Sequence, residues 1–358
     1  MIQRKYLYPV ALLLLLVGIW TIGWFWLARV IANGLDEYAA RQTGTPLAVA
    51  WTAIEFDGYP TRLYTHLAEP RATWSGPDGE IAWSGPETRL KFFTDFGRTV
   101  SFRAPGAHSF QLSGELAGGA DRSATATGER LDGQLNFDDT GQISALRGNT
   151  GNLRVSLDGQ PLTTFDDAAF DWSRVSGGTD PDAIHPESDG QTLTFSLSGV
   201  SLQSARLDPN LAETLGRKLE RLAGRLSQRG ALALDNPTPA ELGRWRDAGG
   251  TLELSDFTLD WGPLRIAGAG TLALDAALQP VGSFTAEIAG LDRLLDLLER
   301  AGQIGSQQAA IARIALAVLT RAPADGGPAQ ARVPVTVQDR RLSIGPVTLL
   351  RLPLVTWD

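Results

Sequence analysis

The chain has 358 residues, 43% of them hydrophobic, no Cys and a formal net charge of −8. The missing Cys excludes disulfides, Cys-ligated zinc, iron–sulfur clusters and a lipidated-cysteine anchor, and the acidic balance argues against nucleic acid and against docking on anionic lipid by charge. With 39 Gly and 20 Pro, the composition favours many short strands and turns over a helical bundle.

The first element carries the most information. Arg4 and Lys5 precede an uncharged apolar run over residues 6–28, with Leu12, Leu14 and Leu16 at its centre and Trp20, Trp24 and Trp26 towards its far end. About 20 apolar residues span a bilayer as a helix, and indole rings favour the membrane interface. Residues 1–29 therefore read as a transmembrane anchor. The rival is a signal peptide cut after Val30-Ile31-Ala32, although such apolar runs are ordinarily only about 7–15 residues long. Basic residues nearly balance across the run, Arg4 and Lys5 against Arg29 and Arg41. The short basic tail favours an inside N-terminus. The expected location is the inner (cytoplasmic) membrane, single-pass, with the C-terminal body in the periplasm.

Residues 30–46 continue as a juxtamembrane helix with Leu35 and Tyr38 on one side, ended by Gly44-Thr45-Pro46. From Leu47 the period changes to two, and residues 47–205 read as an N-terminal β-rich section. Asp57-Gly58-Tyr59-Pro60 is a turn signal. Trp74-Ser75-Gly76-Pro77 echoes as Trp83-Ser84-Gly85-Pro86 around Asp78-Gly79, the mark of a paired hairpin. Asp139-Thr140-Gly141 and Asp158-Gly159 are further hairpin turns. Residues 176–190 read as an exposed loop. Residues 192–201 alternate, with Leu193, Phe195 and Leu197 facing one way.

Residues 206–249 read as a helical connection. Asp208-Pro209 opens it, and Leu211, Leu215, Leu219, Leu222 and Leu226 fall at spacings of a single helix face. Thr238-Pro239-Ala240-Glu241 is a capping box for a short helix ending near Asp247. Residues 250–358 form a C-terminal sheet section, alternating through Leu252, Leu254, Phe257, Leu259 and Trp261 and on to Phe284 and Ile288. Helices are expected within 291–320, where Leu291, Leu294, Leu295 and Leu298 make a stripe.

Three stretches carry a resemblance. They are Gly58-Tyr59-Pro60-Thr61-Arg62; Trp261-Gly262-Pro263-Leu264 running on to Gly268-Ala269-Gly270-Thr271-Leu272; and Leu342-Ser343-Ile344-Gly345-Pro346-Val347 followed by Leu352-Pro353. Together they resemble the uncharacterised proteobacterial family known as domain of unknown function 2125 (DUF2125), over essentially the whole chain. The family implies no activity and no catalytic residues. By layout alone, one anchor ahead of a β-rich body, the chain is more distantly similar to AsmA-like envelope proteins.

No nucleophile elbow, metalloprotease motif, Walker loop or dinucleotide fingerprint occurs. His66, His108 and His185 lie in separate segments and read as isolated surface or edge-strand histidines. Asp180, Asp182, Glu187 and Asp189 read as a solvated acidic loop rather than a Ca²⁺ site. Asp138-Asp139 and Asp166-Asp167 suit turns better than joint catalysis, because neighbours on a strand point to opposite faces.

The sequence thus predicts an α+β fold: an N-terminal transmembrane helix, then a large, curved, mainly antiparallel sheet with helices packed against one face. The expected function is non-enzymatic, without cofactor or metal: binding of phospholipid or another acyl ligand in envelope maintenance. The candidate apolar face is Phe195, Leu197, Phe257, Leu259 and Trp261. The alternative is a scaffold for other envelope proteins with no ligand groove.

Overall fold

The computed structural model describes residues 4–92, 98–115, 118–175, 190–202, 209–230, 232, 238–300, 305–321, 330–344 and 347–357. The sequence-read loop 176–190, with its four acidic residues and His185, falls outside them except for Gly190, as does Asp208. An apolar helix comes first and antiparallel β structure dominates the rest. The chain forms two compact units, Met1–Gln142 with Arg154–Pro161, and Ile143–Leu153 with Leu162–Asp358. The division falls within strands rather than at a central helical connection.

The first unit begins with α1 (Arg4–Gln42), 39 residues without a break, about 58 Å at 1.5 Å per residue. It joins the segments read from the sequence as anchor and juxtamembrane helix into one rod. Gly44, at φ 86, ends it in the left-handed conformation that glycine supplies without penalty. Ten strands follow: β1 (Leu47–Ala50), β2 (Ala53–Asp57), β3 (Tyr64–Ala68), β4 (Arg71–Gly76), β5 (Gly79–Ser84), β6 (Thr88–Phe92), β7 (Thr99–Arg103), β8 (Gly106–Gly114), β9 (Arg122–Gly128) and β10 (Arg130–Phe137). They pair as two antiparallel ladders. One runs β1-β4-β5-β8-β9 and ends on residues 154–157 of β11 (Ile143–Leu157). The other runs β2-β3-β6-β7-β10.

The two ladders are one meander interrupted along a line. Each pass crosses from one ladder to the other at Trp51-Thr52, Glu69-Pro70, Gly85-Pro86-Glu87, Ala104-Pro105 or Glu129. Three of the five crossings carry proline, which has no N–H for a ladder and so marks where regular pairing stops. Single bonds carry individual ladders one step into the crossings: Thr52 N–H to Ala68 O at 2.9 Å, Gly85 N–H to Pro70 O at 3.0 Å and Ala104 N–H to Leu131 O at 2.9 Å. The echoed Trp-Ser-Gly-Pro stretches form the predicted hairpin, β4 against β5.

Both ladders are one-sided. In the second, Ile54 pairs Leu67, Phe56 pairs Thr65, Thr65 pairs Leu90 and Leu90 pairs Phe102 on one face. Its other face carries the row Glu55, His66, Arg89, Arg103, Asp132. Thr65 is fully buried and its Oγ1 has no hydrogen-bond partner. An orphaned buried hydroxyl costs more than the methyl that would replace it. Thr65→Val is therefore expected to raise the unfolding free energy by about 1 kcal/mol, read as a higher urea midpoint at unchanged slope.

The second unit holds β12 (Gln160–Val175), β13 (Gly190–Leu202), β14 (Lys218–Arg229), β15 (Thr251–Trp261), β16 (Leu264–Leu274), β17 (Pro280–Ala289), β18 (Thr320–Arg321), β19 (Gln330–Gln338), β20 (Arg341–Ile344) and β21 (Val347–Arg351). From β12 to β17 each strand pairs with its successor, and then β17 with β19, β19 with β20 and β20 with β21, all antiparallel. The two-residue β18 also pairs with β19.

The helical reading of residues 206–249 is overturned in its centre. Only α2 (Pro209–Leu215) and α3 (Pro239–Asp247) are helical, and β14 between them lies inside the ladder, between β13 and β15. A spacing of four places leucines on one face of a helix and equally on one face of a strand. Leu222 pairs Leu197 and Leu259, and Leu226 pairs Leu193 and Leu254. The three-residue step from Leu219 to Leu222 is matched by Val200 to Leu197 across Gly199, whose φ is 60.

The capping box of α3 forms as read. Thr238 Oγ1 accepts from Glu241 N–H at 3.3 Å, and Glu241 Oε2 accepts from Thr238 N–H at 2.8 Å. The backbone bond, then the hydroxyl bond, from Thr238 holds the Glu241 carboxyl below its ordinary pKa. Because the folded value is depressed, the contribution is present above the ordinary glutamate value and lost as pH falls through the lowered one. Glu241→Gln is expected to lower the urea midpoint at neutral pH, with the difference from wild type vanishing in acid.

The remaining helices are α4 (Leu291–Arg300) and α5 (Ser306–Leu319), tied by Arg313 to Asp296 at 2.5 Å and Glu299 at 2.9 Å. Leu215 of α2, Leu295 of α4 and Ala309 of α5 form a buried cluster with Leu264, Ala286, Ile288, Ala331 and Val333 of the strands. Of the predicted stripe, Leu295 is in this core; the Leu291, Leu294 and Leu298 side chains lie outside the described residues.

Candidate functional site

The strand registers of the second unit assemble one apolar face. Leu197, Leu222, Leu259, Ile266, Ile288 and Ala331 form an unbroken cross-strand row from β13 to β19. One step along, the row is Phe170, Phe195 and Gly224; beyond it Trp172, Leu193, Leu226, Leu254, Gly270, Phe284 and Val335 run on. The predicted Phe195, Leu197, Phe257, Leu259 and Trp261 all belong to this face by register.

Burial divides the face. At the end reached by α2, α4 and α5, Ile288 is only 4% exposed. Trp261 belongs to that end: it packs on the core cluster and donates its Nε1–H to Gly216 O at 3.0 Å. At the other end Phe170 and Leu226 are each 37% exposed, and Leu193, Phe195, Leu254 and Phe284 are half-buried. There the aromatic rings lie over glycines. A Cβ on Gly148 would meet Phe170 Cε1 at 2.5 Å, one on Gly224 would meet Phe195 Cζ at 3.1 Å, and one on Gly270 would meet Phe284 Cδ1 at 2.1 Å. Rings laid on glycine cover backbone and pin register. They make a low floor rather than upright side chains filling the space above it. An open depression of about 410 Å³ crosses the same strands, but six of the residues lining it, Glu253, Ser255, Ala269, Thr271, Ser283 and Thr285, belong by register to the opposite face.

The opposite face of these strands is charged and paired: Arg229 with Glu253 at 2.6 Å and Arg147 with Asp171 at 2.8 Å. Lys218 pairs with Asp166 at 2.9 Å at one end of the β13–β14 ladder. Asp166 thus serves an ion pair. Asp138 caps its own turn by accepting from Thr140 N–H and Gln142 N–H, each at 2.9 Å, while Asp139 pairs with Arg98 at 2.8 Å.

The histidines differ from one another. His108 is buried. Trp83 Nε1–H donates to its Nδ1 at 3.3 Å, so its own proton sits on Nε2 and reaches Ala104 O at 2.9 Å. That is a structural role. His66 is not isolated, as the sequence suggested, but lies between two carboxylates, 2.5 Å from Glu87 and 3.1 Å from Asp57. Arg89 adjoins it, 3.4 Å from Asp57 and with its guanidinium 4.9 Å from the centre of the Tyr64 ring. Strand register brings these residues together from β2, β3, β6 and the Gly85-Pro86-Glu87 crossing, a pairing no local motif announces. Among the described residues no group of three or more His, Asp or Glu is arranged to hold a metal.

The 58–62 turn docks on α1. Trp20 Nε1–H donates to Pro60 O at 2.6 Å and Trp24 Nε1–H to Arg62 O at 2.8 Å, while Thr21 Oγ1 and Tyr59 Oη lie 2.7 Å apart. The 261–264 turn behaves alike: Gly262, at φ 55, lies where a Cβ would meet Leu215 O at 2.3 Å, and its N–H donates to Glu220 at 2.9 Å. These are two of the three stretches that carried the resemblance. A family model described as an uncharacterized protein conserved in bacteria, DUF2125, matches residues 24–353.

The chain belongs to the DUF2125 family.

In this DUF2125 protein Gly58 and Gly262 are explained by close backbone approach at turns. No curated protein matches the chain. Among the described residues α1 is the one helix long and apolar enough to cross a membrane, and a signal sequence passes the same test.

Proposed function

We propose that this DUF2125 protein is anchored in the inner membrane by α1, holds its body in the periplasm, and binds phospholipid or another acyl ligand on the apolar face of its second unit, without catalysis. One observation carries the reading: the face is continuous across the strands, yet between the end packed by α2, α4 and α5 and the far end, where Trp245 of α3 lies on Gly250, Phe170 and Leu226 stay more than a third exposed. Uncovered apolar surface on a folded body marks an interaction site. Packing of α2, α4 and α5 on the other end would make that end a wall and the Phe195 end a mouth. The contacts of Trp20, Thr21 and Trp24 with the body support a retained anchor over a cleaved signal. The layout is also the ground for similarity to AsmA-like envelope proteins.

A photo-reactive benzophenone amino acid in place of Leu226, in the full-length protein in cells, tests this. Irradiation is expected to add the mass of a lipid, and the same group in place of Arg225, on the opposite face, is expected to add none. A protein adduct at Leu226 with no lipid would favour the scaffold reading instead.

A further inference from the structure

We infer that the 58–62 turn is a foot that stands in the membrane interface, its partner being the phospholipid bilayer around α1. The inference rests on α1 crossing that bilayer. The helix and the turn belong to the same compact unit.

Its geometry fixes the depth of the turn. Trp24 and Trp20 precede Ala28, the end of the apolar run, by about 6 and 12 Å along the helix. A hydrocarbon core is about 30 Å thick, so these residues lie in the distal leaflet and its interface. They are the residues that bond Pro60 O and Arg62 O. The turn is therefore held at the level of the lipid, not above it. The carbonyls that would be costly there are satisfied by the two indoles. Arg62 N–H to Gly58 O at 2.8 Å closes the turn on itself. Gly58 is at φ 94, and a Cβ on it would meet Arg62 O at 2.8 Å.

What the turn shows outward suits an interface. Tyr59 is 46% exposed while its ring packs edge-on against Trp24 at 5.6 Å and stacks on Phe25 at 6.2 Å. Pro60, Thr61 and Arg62 are exposed beside it. An aromatic belt residue with a polar tip, proline without an N–H, and arginine at the rim are tolerated at headgroup depth. The chain reaches this place by doubling back. It climbs α1 to Gln42, about 27 Å beyond Trp24, and returns along β1 and β2, with Trp51 bonded to Asp36 on the way. The hairpin tip at Asp78 lies at the raised end, where Ser75 N–H meets Pro46 O.

The chain has no Cys, so single cysteines report cleanly. Full-length Thr61→Cys, Asp78→Cys and Leu14→Cys proteins would carry an environment-sensitive fluorophore. They would be reconstituted in phosphatidylethanolamine–phosphatidylglycerol vesicles containing brominated lipid. Labels at Thr61 and Leu14 are expected to emit blue-shifted light and be quenched, and the label at Asp78 to be neither. Quenching at Leu14 but not Thr61 would overturn the foot and leave the anchor standing. Quenching at neither would overturn the anchor, and the foot with it. Quenching at all three would overturn the foot, since the whole unit would then lie on lipid. Trp20→Phe with Trp24→Phe removes both donors and keeps the apolar surface. It should reduce quenching at Thr61 and leave Leu14 unchanged; unchanged quenching at Thr61 would overturn the role given to the indoles.

Discussion

Ile288→Ala is expected to cost about 3–4 kcal/mol of unfolding free energy, and Leu226→Ala only about 1, although both side chains stand on the same face of the same run of strands. Ile288 is 4% exposed and packed among Leu264, Ala286, Leu295 and Ala331. Its truncation leaves a cavity that rigid strands and the helices α2, α4 and α5 cannot close. Leu226 is 37% exposed, between Leu193 and Leu254, so truncation forfeits part of a contact already shared with solvent. Urea unfolding of the full-length protein in mild detergent would measure both. Equal losses at the two positions would mean that something covers the Phe195 end as firmly as the helices cover the other, and the proposed binding face would be lost with it.

The second large effect is expected at Gly270. A valine there puts its Cβ onto Phe284, whose Cδ1 is 2.1 Å from that position, with Ser283 O at 2.5 Å. The ring must leave the floor, and the backbone of β17 bars part of the way. A loss of about 3 kcal/mol is expected from such overpacking. Most of the cost belongs to one ring, so Phe284→Ala should recover it: the double variant should be more stable than the sum of the two single losses predicts. Simple additivity would show that the ring does not lie on the glycine in solution.

These two positions also show what could be read from the residues and what could not. The apolar face was legible because Phe195 and Leu197, or Phe257, Leu259 and Trp261, alternate within their own strands, and alternation is a local property. The capping box at Thr238 was legible for the same reason. Leu222 and Leu226 read as helical from the sequence because a spacing of four does not distinguish a helical face from a strand face. Nothing local in that stretch shows that β13 and β15 lie on either side of it. The position of Phe284 over Gly270 was hidden too, since it depends on which residue of β17 stands opposite which residue of β16. His66 looked isolated because its partners, Asp57 and Glu87, lie 9 and 21 residues away and meet it only through the register of β2, β3 and β6. The division of the face into a covered and an open end was beyond reach, since it depends on where α2, α4 and α5 come to rest.

The order of strands in the second unit has one more consequence. From β12 onward each strand lies beside the one that follows it, with α4, α5 and β18 inserted between β17 and β19. Position along the chain is thus position along the floor, at about 4.8 Å per strand. Inserting or deleting a hairpin within this run would lengthen or shorten the apolar surface by about 10 Å. Only the two bordering pairings would change, and the charged outer face and the helix-covered end would be left alone. Relatives whose chains differ in length by such a unit would then differ in the span of this face, much as a repeat protein scales with its number of repeats.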